Sequence, residues 1–114
     1  MSINIGYFKT TSGRIPVMEF IDSLDVIQKA KLIHVIQLLE EFGISLTLPH
    51  AKQIESKLWE LRASAERIIY FIFSKEKAIL LHGFTKKRDK IPYKEITIAK
   101  KRYLELMERY KNDI

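Results

Sequence analysis

The chain has 114 residues, enough for one domain with a real core and too few for two. Its apolar fraction of 46% excludes a disordered chain, and no apolar run approaches the ~18 residues of a membrane span. It has no cysteine, which excludes disulfides and thiolate chemistry, and its formal net charge is +6. The N-terminal MSINIGYFKT lacks the charged start and apolar stretch of a signal peptide, so the expected compartment is the cytoplasm.

In chain order, residues 2–9 read as a short edge strand with Ile3, Ile5 and Tyr7 on one face. Thr11, Ser12 and Gly13 make a turn, and Pro16 suits the first position of a helix. Val17, Phe20, Ile21 and Leu24 recur at helical spacing and give that helix a core face. A second helix carries the stripe Leu32, Val35, Ile36, Leu39 and Phe42, with Gly43 to end it. Residues 44–56, containing Pro49, read as a loop. The period then becomes alternating. SKLWELR (56–62), RIIYFIF (67–73) and AILLHGF (78–84) read as three strands joined by short gaps, an antiparallel meander. After Pro92 the helical period returns, with Ile96, Ala99, Tyr103, Leu106 and Tyr110 in one stripe. The order β-α-α-β-β-β-α predicts a single α+β domain over residues 1–114, with helices on one face of an antiparallel sheet.

The charge is segregated. Residues 86–102 carry eight basic and two acidic groups, whereas residues 1–85 carry ten and nine. Such clustering points to a polyanionic partner, nucleic acid or an acidic protein. There is no phosphate-cradling glycine loop, no GxSxG and no HExxH. His34, His50 and His82 lack metal-ligand spacing, so no metal or cofactor is expected. What remains is a set of cations, a tyrosine and one histidine. That set suits RNA cleavage, where the 2′-hydroxyl supplies the nucleophile. The protein then has to position the backbone, neutralise developing charge and move two protons.

KLWELR, ERIIYFIF, AILLHGFTKKRDKIPYKEI and AKKRY together resemble the toxins of the RelE/ParE superfamily, and most of all its HigB-like, phage-derived branch. The resemblance covers about residues 52–102 and rests on the LWELR strand and the later HGF-x-KK segment. It implies a RelE-like fold and a toxin that cuts mRNA in the ribosomal A site. It also implies a small helix-turn-helix antitoxin, with ribosome and mRNA as further partners and no membrane. Arg67 and Tyr70 match an arginine and a tyrosine of the RelE strand, the arginine being a phosphate-stabilising residue. Lys87 falls on a second catalytic arginine, Tyr93 on the tyrosine that assists the 2′-hydroxyl, and Arg62 on a basic strand residue. The two strand lysines that move protons in RelE map to Leu58 and Glu60, which leaves His82 and Glu60 as substitutes. Lys57 would point to the opposite face of the strand.

The candidate catalytic residues are thus Arg67, Lys87, Tyr93 and His82, and the candidate RNA-binding residues are Arg62, Lys86, Arg88 and Lys90. Each has a plainer alternative. Arg67 could be a surface arginine paired with Glu60 or Glu66, and the lysines could be solvated charges. Tyr93 could be a packing residue and His82 a hydrogen-bonded core histidine. Trp59 reads as core rather than a base-stacking platform, and Gly83 as a site of close packing or a bulge. Two other functions remain open. One is a ParE-like toxin acting on gyrase. The other is a non-catalytic RNA-binding accessory module, which the missing strand lysines favour.

Overall fold

The computed structural model describes residues 2–112. The chain forms β1 (Asn4–Tyr7), α1 (Pro16–Asp22), α2 (Val26–Phe42), a 3-10 turn (Gly43–Ser45), β2 (Ala51–Gln53), β3 (Trp59–Ala63), β4 (Glu66–Ser74), β5 (Lys77–Thr85) and α3 (Tyr93–Asn112). Pro16 opens α1, where its missing N–H costs nothing. Asp25 and Gln28 close a reciprocal capping box on α2: the Gln28 N–H donates to Asp25 Oδ1 at 2.8 Å. Gly43, at φ 57°, ends that helix.

The α+β class is as expected, but three features differ. The strand order is β1-β5-β4-β3-β2, and β1 pairs with β5 in parallel, so the sheet is mixed rather than wholly antiparallel. The stretch expected as a loop contains β2, which pairs antiparallel with β3 from Ala51↔Leu61 to Gln53↔Trp59. The helices also cover both faces. Val17 and Ile21 of α1 and Leu32, Val35 and Leu39 of α2 pack with Leu61, Ile68, Tyr70 and Leu80. Ala99, Leu106 and Tyr103 of α3 pack on the other side with Ile69, Phe71, Ile79 and Leu81. The reason lies in β4. Ile68, Tyr70 and Ile72 point one way while Ile69 and Phe71 point the other, so an uncovered face would leave large apolar side chains in water. Each such side chain contributes roughly 1.5–3 kcal/mol on burial.

β5 changes phase part-way. Tyr70 pairs with Leu80 and Ile69 with His82, so Leu81 is an extra residue in the ladder. Beyond it His82 and Phe84 face α3, whereas Gly83 faces α1 beneath Phe20. A Cβ on Gly83 would collide with the Phe20 ring, which accounts for the glycine as both close packing and the neighbour of a bulge.

Candidate functional site

α3 covers only part of its face of the sheet. Its first residue is Tyr93, and the far ends of β3 and β4 lie beyond it, bordered by the loop 86–92. Alternation along the strands places Glu60 and Arg62 of β3 and Arg67 of β4 on this face. Arg62 and Arg67 are direct cross-strand partners, an arrangement that is repulsive by itself. Glu60 resolves it. One carboxylate oxygen lies 3.2 Å from Arg67 Nη1 and the other 3.7 Å from Arg62 Nε. The Arg67 contact is not aligned as a hydrogen bond, so it acts through charge. Arg67 Nε donates to the Ser64 carbonyl at 3.0 Å, within the tight turn where Ser64 holds φ 60°. Arg67 is only 9% exposed, and its guanidinium is held from two sides. Nη2 has no protein acceptor among the described residues.

The loop closes the other side. The Lys86 N–H donates to the Ala65 carbonyl at 2.7 Å, carrying β5's course past the β3–β4 turn. An open depression of about 460 Å³ results, lined by Arg62, Arg67, Lys86, Lys87, Arg88 and Asp89. Five cations thus face one carboxylate. Lys90 lines an adjoining depression that shares Arg62 and Lys86 with the first. Lys87 and Arg88 also border a third hollow with Pro92 and Glu95 at the start of α3.

Two candidates stand apart. His82 lines none of these depressions. Its Nε2 lies 2.7 Å from Glu95 Oε1, Arg102 Nη1 approaches its Nδ1 at 3.3 Å, and its ring stacks on Phe84. Because Arg102 can only donate, Nδ1 accepts and Nε2 carries the proton given to Glu95. Burial holds this imidazole below its ordinary range. The Glu95 hydrogen bond opposes that shift and the Arg102 charge adds to it. Tyr93 is 68% exposed and also lines none of them. Tyr70 and Trp59 belong to the opposite face. Tyr70 is buried there, its hydroxyl pushed well above its ordinary range by burial, and Trp59 packs against the same core. Neither is available to a ligand in the cationic depression. Leu58 lies in the α3-side core.

The model of the phage-derived Gp49-like protein family (DUF891) matches residues 19–104, from within α1 to within α3, including β2 through β5 and the whole basic loop. The chain belongs to this family. The Gp49-like family is of the RelE toxin–antitoxin type. A search of curated proteins found no match.

Glu95 and Arg102 were not assigned from sequence, and Glu60 was named there only as a possible partner of Arg67 and a substitute proton mover. Glu60 acts as the shared counter-charge of two arginines. Glu95 and Arg102 clamp His82, with Arg102 also donating to the Leu81 carbonyl at 2.8 Å. The helical spacing from Glu95 through Ala99 to Arg102 puts all three on the sheet-facing side, and that was the available signal. Glu60 was legible as a possible partner of Arg67, but its sharing between Arg67 and Arg62 comes from register rather than spacing.

Proposed function

We propose that this Gp49-like protein is a HigB-like toxin of a type II toxin–antitoxin pair. It acts in the cytoplasm as an endoribonuclease on mRNA held by the ribosome. The supporting observation is the depression in which Arg67, anchored by Glu60 and Ser64, faces Arg62, Lys86, Lys87 and Arg88. In the reaction the 2′-hydroxyl oxygen bonds to the adjacent phosphorus and the P–O5′ bond breaks. The products are a 2′,3′-cyclic phosphate and a 5′-hydroxyl. Negative charge grows on the non-bridging oxygens, and fixed guanidinium and ammonium groups stabilise that charge more than the ground state. Arg67 and Lys87 are assigned to the scissile phosphate, and Arg62, Lys86, Arg88 and Lys90 to neighbouring phosphates. Tyr93, exposed where the loop enters α3, is assigned to the 2′-hydroxyl proton, and solvent water supplies the proton that the leaving 5′-oxygen takes up. His82, engaged at both nitrogens, is assigned to holding Glu95 and so the helix end of the loop. An antitoxin supplying carboxylates would neutralise the same surface.

The test is induced expression with mapping of new mRNA 5′ ends, alongside pulse labelling. Amino-acid incorporation should fall first, with new 5′-hydroxyl ends inside coding regions. An earlier fall in thymidine incorporation with gyrase-linked DNA breaks would favour the ParE-like mode instead. One observation favours a second reading, a non-catalytic RNA-binding module: Leu58 is core and Glu60 is engaged at the two positions where RelE carries lysines. Purified protein that binds programmed ribosomes and leaves their mRNA intact would decide for that module.

A further inference from the structure

The depression adjoining the cationic one has a different chemical character. Its volume is about 330 Å³, and it shares Arg62, Lys86 and Asp89 with its neighbour. The remaining wall contains Ile54, Ile91 and Ile96, three branched aliphatic side chains, together with the neutral amide of Gln53. These three aliphatic side chains stand among charged ones, a mixed wall at the small end of ligand-site volumes (~300–1,000 Å³) that suits a group with an apolar face and a polar edge. The charge balance differs too. Lys52, Arg62, Lys86 and Lys90 are partly offset by Glu60 and Asp89, an excess of two cations against four in the depression beside it.

A phosphate has no use for three isoleucines. A nucleobase does, because its face is apolar while its edge carries donors and acceptors. The wall supplies both kinds of partner for that edge. Gln53 Nε2 donates to the Ser56 carbonyl at 3.2 Å, which leaves Oε1 as its acceptor. The ammonium groups of Lys52 and Lys90 supply donors. In single-stranded RNA each base lies within one sugar of its own phosphate, and these two hollows share a wall. Resting on the RNA reading of the cationic depression above, we infer that the adjoining hollow is a nucleobase subsite. It takes one unstacked base of a single-stranded RNA whose neighbouring phosphate lies against Arg67 and Lys87. Ile91 and Ile96 would pack on the base and Gln53 would meet its edge.

The test uses 2′-O-methyl RNA heptamers, which cannot be cleaved, either intact or carrying one abasic position moved along the strand. Affinities are measured by fluorescence anisotropy for the wild type, Ile91→Ala and Gln53→Met. Gln53 is exposed on an edge strand, so its variant folds even if Ile91→Ala is weakened. Wild type should lose about tenfold in affinity at one abasic position, the lower end of what a matched group gains in an apolar pocket. Each variant should lose a similar factor with intact RNA and little further with that abasic RNA, because the two changes remove one contact. Losses that multiply, or no sensitive position, overturn the subsite. The RNA reading would survive that result provided Arg67→Ala weakens every heptamer. Wild type that binds none of the heptamers overturns the subsite, and the ribosome-held reading is then decided by the 5′-end mapping above.

Discussion

Replacing Glu60 with glutamine keeps the side chain's shape and removes the charge between Arg62 and Arg67. At 3.2 Å and an effective dielectric constant near 20, the Glu60–Arg67 attraction alone is about 5 kcal/mol. Desolvation of two nearly buried ions offsets part of that in the native protein. The variant keeps the desolvation cost of Arg67 and adds its repulsion from the facing Arg62. Breaking one partner out of a buried pair costs about 3–5 kcal/mol, and the half-exposed Arg62 puts this case at the low end. Because the Arg67 contact is not aligned as a hydrogen bond, the amide recovers little of the loss. A loss of about 3 kcal/mol corresponds to a fall in melting temperature of about 12 °C for a domain of 114 residues. Circular dichroism melts measure it. Inorganic phosphate, added at constant ionic strength, should restore more of the variant's stability than it adds to the wild type, since an anion can stand in for the missing carboxylate. A variant melting within about 2 °C of wild type would refute the role given to Glu60.

Gly83→Ala should cost about 1–3 kcal/mol in urea denaturation, since the new methyl meets Phe20 with its Cγ only 2.9 Å away, and Phe20→Leu in the same chain should return part of it. His82 has a folded-state value lowered from 6.5, so the unfolded chain binds its proton first as pH falls. Stability should therefore decline below about pH 6.5 in the wild type and less steeply in His82→Gln; equal acid-side slopes would refute the buried neutral state. In single-turnover cleavage on programmed ribosomes, Arg67→Ala and Lys87→Ala should lose about a hundredfold or more in rate at saturation. Arg88→Ala should mainly weaken binding and flatten its salt dependence, so a rate loss equal to that of Arg67→Ala would overturn this division of labour.

Local signals carried much of the fold. Pro16, Gly43 and the stripes of Val17–Leu24 and Ile96–Tyr110 mark the helices because capping and helical period are properties of neighbouring residues. β2 was not legible: Ala51, Lys52 and Gln53 show no alternation, and they become a strand only by pairing with β3. The covering of both faces was written in RIIYFIF, whose apolar residues occupy both sides of one strand, but continuous apolar runs also suit other buried elements. At the site, the basic cluster was visible as composition. Its convergence with Arg62 and Arg67 depends on register and on the Lys86–Ala65 hydrogen bond between segments distant in sequence. The separation of Tyr93 and His82 from the depression is likewise a tertiary fact. His82 reaches the α3 side through a bulge, of which Gly83 was the hint but not the register.

That bulge gives β5 something like a reading frame. Up to Leu80 the strand is spelled in one phase, and after Leu81 in the other. Were Leu81 to take a place in the ladder opposite Ile69 instead of bulging, composition and length would be unchanged, yet every later letter would be read on the wrong side. His82 and Phe84 would be turned toward α1, Gly83 toward α3, and the chain would leave the sheet one step out of phase before Lys86. The segment from 82 onward can therefore tolerate substitution of individual letters far better than a one-residue slip in register. An insertion after Thr85, beyond the end of the strand, would spare the frame altogether. Variation in length among chains that share this architecture should accordingly collect in the stretch between Lys87 and Pro92, where the spelling no longer has two sides.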